Sequence, residues 1–565
     1  MRKAPALLVL ALLVLAVLPT PLAHAEEPID WQAVNRIRNE GFHASRVMAT
    51  ARELTEVIGS RLTGSPGMRR ANEWTRDRLA EWGLADARLE PWGPFGRGWS
   101  FDRVAVHLVE PFPTPLVALP LAWTPGTEGP VRGELVRVTL EDEEDFEEHR
   151  GKLAGKVLLL DAARELRAWG EPVVHRHDPE ALEELREFEI PAAEGEPWRD
   201  RARKRWRFRR ALNRFLVEEG AVATIEVSSR DAGLVRAGGG GSREPGESPG
   251  VPGLVMAVDP YNRLVRLAGA TAPPGEEGED EKGLKQPSSD SAGAGGGSDS
   301  AGAGGGPAPA PVVEIDVVAR YHDDDPMAYN TVADLPGTDL ARELVMVGAH
   351  LDSWHGGTGA TDNAAGSAIV MEAVRILAAL GIEPRRTIRI ALWSGEEQGL
   401  LGSRAYVAEH FASRPASEDP EELDLPESLR EARGPLDLKG AHQGFSAYFN
   451  VDNGGGRIRG IYTQENAAVV PIFEAWLEPF HDLGAKTVTL NNTGGTDHLP
   501  FDRVGLPGFQ FIQDMRDYET LTHHTNADGF DHLSREDMIQ ASVVLASFLY
   551  HAAMRDEPLP RKPLP

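Results

Sequence analysis

The sequence predicts a three-layer α/β fold with a mixed central sheet, into which a second, mostly-β unit is inserted. Three observations carry this. Strand and helix patterns alternate regularly after residue 312. Short apolar strands dominate between residues 111 and 272. The chain has 565 residues, more than one compact core accommodates.

The N-terminus reads as an export signal over residues 1–25. Arg2 and Lys3 precede an apolar run from Ala6 to Leu18, and Ala23-His24-Ala25 fits a cleavage site after Ala25. The expected location is therefore secreted or periplasmic. No later stretch is apolar enough to span a bilayer, so no stable membrane insertion is expected once the signal is removed. Residues 26–110 form the first part of the main domain. Leu54, Ile58 and Leu62 recur at helical spacing, and Ala71, Trp74, Leu79 and Trp82 line a second helix. The segment from Gly59 to Pro66 between them is a turn.

Residues 111–272 are expected to be the inserted unit, with Val104–Val109 leading into it. Its strands are expected at Gly133–Val138, Val157–Asp161, Ala221–Val227 and Val255–Ala257, with a helix near Arg207–Glu219. The basic run Arg201–Arg210 is expected to be a solvated helix face with Trp206 and Phe208 packing inward. Residues 273–311 are low in complexity, rich in Gly, Ser, Ala and acidic residues, and are expected to be disordered.

Residues 312–565 complete the main domain. Strands are expected at Val312–Arg320, Tyr329–Asp334, Leu344–Ala349, Thr387–Trp393, Phe445–Val451, Ile458–Tyr462 and Gly508–Ile512. Helices are expected at Ala364–Leu380, Leu400–His410, Val469–Leu483 and Met538–Met554.

A formal net charge of −28 argues against nucleic acid as a partner, which requires a basic face. The absence of cysteine excludes disulfides, thiolate metal sites and a cysteine nucleophile. Any metal must be held by His, Asp or Glu. Four strand ends supply such groups: His350 and Asp362, then Glu396 and Glu397, then Asp452, then a loop leading to His523 and His524. Adjacent acids at buried strand ends are costly without a cation, so a shared metal centre explains the repetition. Two imidazoles and three carboxylates, one of them bridging, give each of two Zn²⁺ ions three protein contacts and an open position. Of Glu396 and Glu397, one would bind metal and the other act as base.

Gly348-Ala-His-Leu-Asp352, Asp362-Asn363, Ser394–Ser403 and His524–Asp528 together resemble the di-zinc aminopeptidase and glutamate carboxypeptidase family. The texture of His350–Trp354, Thr493–His498, the pair His523-His524 and Val57–Ser65 is nearest to its carboxypeptidase Q-like branch. The resemblance implies a zinc-exopeptidase fold from residues 26–110 and 312–565, with 111–272 as a protease-associated domain. It implies two Zn²⁺ per chain, one on His350, Asp362 and Asp452, the other on Asp362, Glu397 and His524. Asp362 would bridge, Glu396 would be the general base for a zinc-bound hydroxide, and Asp352 would orient His350. His523 is left as a stabiliser of the oxyanion and an alternative to His524, and His498 as a near-site or substrate contact. The substrates implied are short peptides or dipeptides, with the choice of N- or C-terminal recognition open. The inserted domain also offers a surface for a homodimer. Two rivals stand beside this reading: a related zinc amidohydrolase, and a catalytically altered relative serving as a binding or receptor module. His355 is expected to be a loop histidine, Asp514 and Asp517 a solvated loop, and His442 and His551 surface groups.

Overall fold

Four parallel strands form the middle of an eight-stranded sheet and aim their carboxyl ends at one place. In order they are Arg386–Trp393, Leu340–His350, Phe445–Asn450 and Gly508–Gln513. Antiparallel strands Ala328–Leu335 and Ala85–Trp92 extend one flank. Ile458–Tyr462, antiparallel to Gly508–Gln513, and then Thr487–Thr489 complete the other. The computed structural model describes residues 27–564 except 168–169, 171, 190–197, 270–309 and 431–433. The expected signal at 1–25 lies outside them, as does the low-complexity segment apart from residues 310 and 311. Among the described residues no helix is long and apolar enough to cross a membrane.

The central strands are near-continuous apolar runs because helices cover both faces, as parallel sheets require. On one face lie Trp31–Ala44, Ala365–Ala379 and Arg535–Met554. Their core includes Ile369, Phe449, Phe473, Trp476 and Phe548, each with no exposed surface. Leu401–His410 and His498–Asp502 cover the other face around Trp393, Tyr448 and Phe501. This is the three-layer α/β arrangement the alternation predicts. The strand Ala85–Trp92 was not anticipated; it is an edge strand whose residues are mostly only half-buried, so it carries no clear apolar period.

A second eight-stranded sheet contains parallel strands Val131–Arg137, Lys156–Leu159, Ala223–Val227 and Gly253–Met256. Helices Trp198–Glu218 and Val258–Gly269 accompany it. The long strands Gly98–Glu110 and Val312–His322 pair with each other inside this second sheet. The sequence reading had placed Val312–Arg320 in the main domain and Val104–Val109 at the entry to the inserted unit. Their pairing partners, which lie far apart in the chain, decide the matter.

The basic run sits on Trp198–Glu218. Arg203 pairs with Glu422, Arg209 with Glu226, and Arg210 with both Glu247 and Asp424. Phe208 packs on Phe146 and Trp206 is half-buried, as expected. Four groups expected at the surface are buried. His442 bonds to the carbonyl of Val504 and His551 to that of Ser547. Asp514 has no exposure and pairs with Arg176 and Arg459. Asp517 meets His532 at 2.6 Å. His551 Nε2 also accepts from the Asp30 amide at 3.2 Å, so each was misplaced because a partner is remote in sequence or lies on the far side of a loop.

Phe548 touches the rings of Phe449, Phe473, Trp476 and Phe511. Truncation Phe548→Ala opens a cavity that this crowded cluster cannot refill, at a cost of ~3–5 kcal/mol. Chemical denaturation of the purified variant is expected to show a midpoint lowered accordingly, with an unchanged slope.

Candidate metal centre

His350 ends the central strand Leu340–His350 and is almost fully buried. Its Nδ1 donates to the backbone carbonyl of Asp352 at 3.0 Å. That fixes Nε2 as the ring atom that faces the site. Nε2 lies 3.2 Å from Asp362 Oδ1 and 3.2 Å from Asp452 Oδ1. Across Asp362, the other oxygen, Oδ2, lies 3.1 Å from His524 Nε2, and that nitrogen is 2.9 Å from Glu397 Oε2. One carboxylate thus joins two nitrogen-and-oxygen sets. His350, Asp362 and Asp452 form one group of converging donor atoms, and Asp362, His523 and His524 another.

The loop holding Asp362 is itself held. Asp528 Oδ1 accepts from the Thr361 amide at 2.7 Å and its hydroxyl at 2.8 Å, while Oδ2 accepts from the Asp362 amide at 3.2 Å. Asn363 Nδ2 donates to the carbonyl of Val451, tying the loop to the strand end that carries Asp452. Gly359 takes a φ of +61°, and a Cβ there would sit 2.3 Å from the Cβ of Ser353.

Behind the loop lies Arg61, with no exposed surface. Its guanidinium makes five hydrogen bonds, all to backbone carbonyls: Leu351, Leu54, Gly59, Thr358 and Gly359. Burial pulls its pKa down to about 10, against the pull of Asp528, Asp352, Asp362 and Glu397. The Gly59–Pro66 turn therefore delivers a cation to the back of the acidic cluster.

Asp352 plays a wider part than the one the sequence reading gave it. Its carboxylate is 3.6 Å from His350 Nδ1, while its backbone carbonyl makes the hydrogen bond. The carboxylate accepts from Thr63 Oγ1 at 2.9 Å and from the amides of Glu396 and Glu397 at 3.3 Å each. It positions the glutamate pair as well as standing beside the imidazole ring.

The electrostatics show a site that calls for positive charge. Burial opposes protonation of His524, but Glu397 and Asp362 outweigh it and raise the ring to about 10. Burial likewise disfavours charge on His350, yet Asp452 and Glu396 drive it well above its usual value. In both rings a proton does what a metal ion would do. Asp362 Oδ2 and Glu397 Oε1 are buried with no hydrogen-bond partner. Imidazole nitrogens, carboxylates and two unsatisfied oxygens together fit Zn²⁺.

Glu396 lies 4.0 Å from His350 Nε2 and belongs to neither group of converging donors. Burial lifts it well above the usual carboxylate range; His350 opposes this, and Asp452, Asp497 and Glu397 add to it.

His523 stacks on Tyr518 with ring centroids 4.7 Å apart, and its Nε2 is 3.9 Å from Asp362 Oδ2. It lies beside the centre, farther out than His524. His498 is buried with its Nε2 against Gln464 and Thr493, and burial lowers it to about 4. His355 is a joint between the units: its Nε2 bonds to the carbonyl of Pro120 and its ring meets Trp99 and Phe101 edge to face.

Several groups escaped the sequence reading. Tyr518 is buried among the charges of Asp362, Asp452, Glu397 and Glu396, with no local motif to announce it. Asp497, pushed up to about 7 by burial, bonds to Ser403. Arg236, from the second sheet's side, brings Nη2 to 3.1 Å from His524 Nδ1, and the Ala237 amide donates to the His524 carbonyl. Arg61 and Asp528 stood inside quoted motifs without an assigned role.

Residues 330–549 match the sequence model of Peptidase family M28. Carboxypeptidase Q of Bos taurus is 31% identical over 252 residues, 44% of this chain and 46% of that protein. The chain thus matches about half the length of such curated relatives. Among solved structures, the peptidase M28 precursor of Shewanella amazonensis superposes with a TM-score of 0.62 at 22% identity, covering 94% of this chain and 98% of the other. A zinc aminopeptidase of Bacillus subtilis gives 0.51 at 17% identity, covering 94% and 97%. At these identities the two structures speak for the fold alone. The matched residues 330–549 carry all five candidate ligands and Glu396, so the likeness to peptidase family M28 falls on the candidate site itself.

Proposed function

We propose that this chain is a two-zinc exopeptidase that hydrolyses peptide bonds in short peptides, dipeptides among them. The division of Asp362 carries this reading. Its Oδ1 faces His350 and Asp452 stands at the same nitrogen, while its Oδ2 faces His524, which Glu397 adjoins. Asp362, His350 and Asp452 would hold one ion; Asp362, Glu397 and His524 would hold the other. When bound, such a pair polarises a scissile carbonyl and makes water acidic enough to attack at neutral pH. The names of the relatives, a carboxypeptidase and a zinc aminopeptidase, support exopeptidase chemistry and divide over which terminus is read.

Glu396 takes the proton from the attacking water and passes it to the leaving nitrogen. A carboxylate raised toward neutrality suits both transfers. Its amide is anchored by Asp352, so the carboxyl approaches the site from a fixed backbone. Tyr518, facing the same carboxylates, donates its hydroxyl to the carbonyl oxygen as negative charge grows there. Asp528, Asn363 and Arg61 hold the loop and move no proton. The unit around the second sheet serves as the protease-associated domain and forms one wall of the mouth through Arg236. The apolar run and Ala-x-Ala site before Glu26 support export. A receptor module of this architecture would be expected to lack a ligand, and none of the five is missing.

The zinc-loaded full chain should cleave unblocked dipeptides, lose this activity to a chelator and regain it with added Zn²⁺. Glu396→Gln is expected to lower kcat by about 10²–10⁴-fold with metal content unchanged; undiminished turnover would remove the proposed base. Asp362→Asn should bind less than the full metal complement, read by elemental analysis after dialysis. Tyr518→Phe should cost about 10²-fold in kcat with KM little altered. Cleavage of N-acetylated substrates alone would exclude an aminopeptidase.

A further inference from the structure

The central strand has no side chain at the point where its two neighbours meet. Gly348 stands two residues before His350, and a Cβ there would lie 2.6 Å from Tyr448 Oη and 2.8 Å from Trp393 Nε1. Trp393 and Tyr448 belong to the strands on either side, Arg386–Trp393 and Phe445–Asn450. Over the bare glycine the indole Nε1 donates to the Tyr448 hydroxyl at 2.7 Å. This bond begins a string of others. Tyr448 donates to Asn450 Oδ1 at 2.5 Å. Asn450 Nδ2 donates to Gln510 Oε1 at 2.8 Å and to Thr496 Oγ1 at 2.9 Å. Gln510 Nε2 donates to the backbone carbonyl of Asp452 at 3.1 Å.

Each link takes its direction from the one before it. An indole N–H can only donate, so the hydroxyl that receives it sends its own proton onward. Asn450 must then turn its oxygen to Tyr448 and its NH₂ to Gln510 and Thr496. Gln510 must offer Oε1 to Asn450, which leaves its NH₂ for Asp452. Trp393, Tyr448, Asn450 and Gln510 have no exposed surface. Apolar side chains of like size would fill this volume as well; the polar atoms add direction. A buried polar string whose members satisfy one another holds its far end in one geometry. That end is the residue whose carboxylate stands 3.2 Å from His350 Nε2, in the first donor set. None of the five bonds joins Glu397 or His524.

We propose that this one-way string sets Asp452 in place for the first ion, with Tyr448 and Gln510 as positioning residues that act through it. The inference rests on the two-zinc reading above and names the remote side chains that hold one of its two positions.

Competition between the full chain and a chromophoric zinc chelator, without substrate, tests it. The parent should yield two zinc dissociation constants. Tyr448→Phe keeps the ring, which stacks on Phe501 with centroids 4.3 Å apart, and removes only the directing oxygen. Gln510→Met removes the last link without adding charge. Each should weaken the same one of the two constants about tenfold or more and leave the other within about twofold. Asp452→Ala should leave one constant, that of the ion on Asp362, Glu397 and His524. Adding either change to Asp452→Ala should shift that constant by less than about twofold. A residue that only packs the core would lower both constants, or the one that survives in Asp452→Ala. That result overturns the inference, as do parental constants in either folded variant. The thermal midpoint of the zinc-free protein reads folding: if one variant unfolds the other decides, and loss of the fold in both assigns the string to the core and overturns the inference. A parent that binds fewer than two zinc ions overturns the two-zinc reading, and the inference with it.

Discussion

Buried negative charge without enough buried positive charge is the constraint around which the rest of this molecule is arranged. Asp352, Asp362, Glu397, Asp497 and Asp528 have almost no exposed side-chain surface and share one small volume. His350 and His524 are the imidazoles among them, and both are driven toward protonation by their neighbours. Arg61 supplies one permanent cation from behind, but all five of its hydrogen bonds go to carbonyls, so it cannot also neutralise the carboxylates by direct contact. An acidic cluster of this kind is tolerable only with cations bound within it. The fold supplies the oxygens and nitrogens and leaves a deficit of charge that bound cations would meet.

The precision of the centre comes from residues that do no chemistry. Asp528 fixes Thr361 and Asp362, Asn363 ties that loop to Val451, and Asp352 anchors the amides of both Glu396 and Glu397. Thr63 joins Asp352 to the Gly395 amide, so the early turn and the later strand end are set against each other. Each contact positions backbone, which lets the reacting side chains stay short of hydrogen-bond partners and free for ligands.

The second sheet is bound to the same centre rather than standing apart. Its neighbouring loop pairs Ala237 with His524 and Val235 with Asn526. Another of its segments crosses to the far side, where Arg176 meets Asp514 and Asp537, and His175 exchanges backbone bonds with Arg516. Buried ion pairs of this kind cost desolvation and are most defensible as registry devices. Here they set where the second sheet's loops lie along the mouth.

The sequence by itself determined the candidate ligands and the strands that carry them. His350, Asp362, Glu397 and Asp452, with Glu396 beside them, each follow a strongly apolar run or sit in a Gly-rich loop, and His524 stands in a double-histidine loop after such a strand, so local pattern is enough to find these places. The three-layer core was legible for the same reason. What only the tertiary structure decided is what long-range partners decide. Gly98–Glu110 and Val312–His322 joined the second sheet because they pair with each other across some 200 residues. Tyr518 and Arg236 reached the centre from loops with no motif of their own, and Asp497 from inside the Thr493–His498 motif without a role assigned to it. Asp514, His442 and His551 turned out buried because groups far along the chain met them, Arg176, the Val504 carbonyl and the Asp30 amide, while His532 across a loop met Asp517. Asp352 reaches the amides of Glu396 and Glu397 as well as the ring of His350, a combination that spacing along a chain cannot express. Local pattern fixes which groups stand at a strand end; only packing fixes which atoms they face.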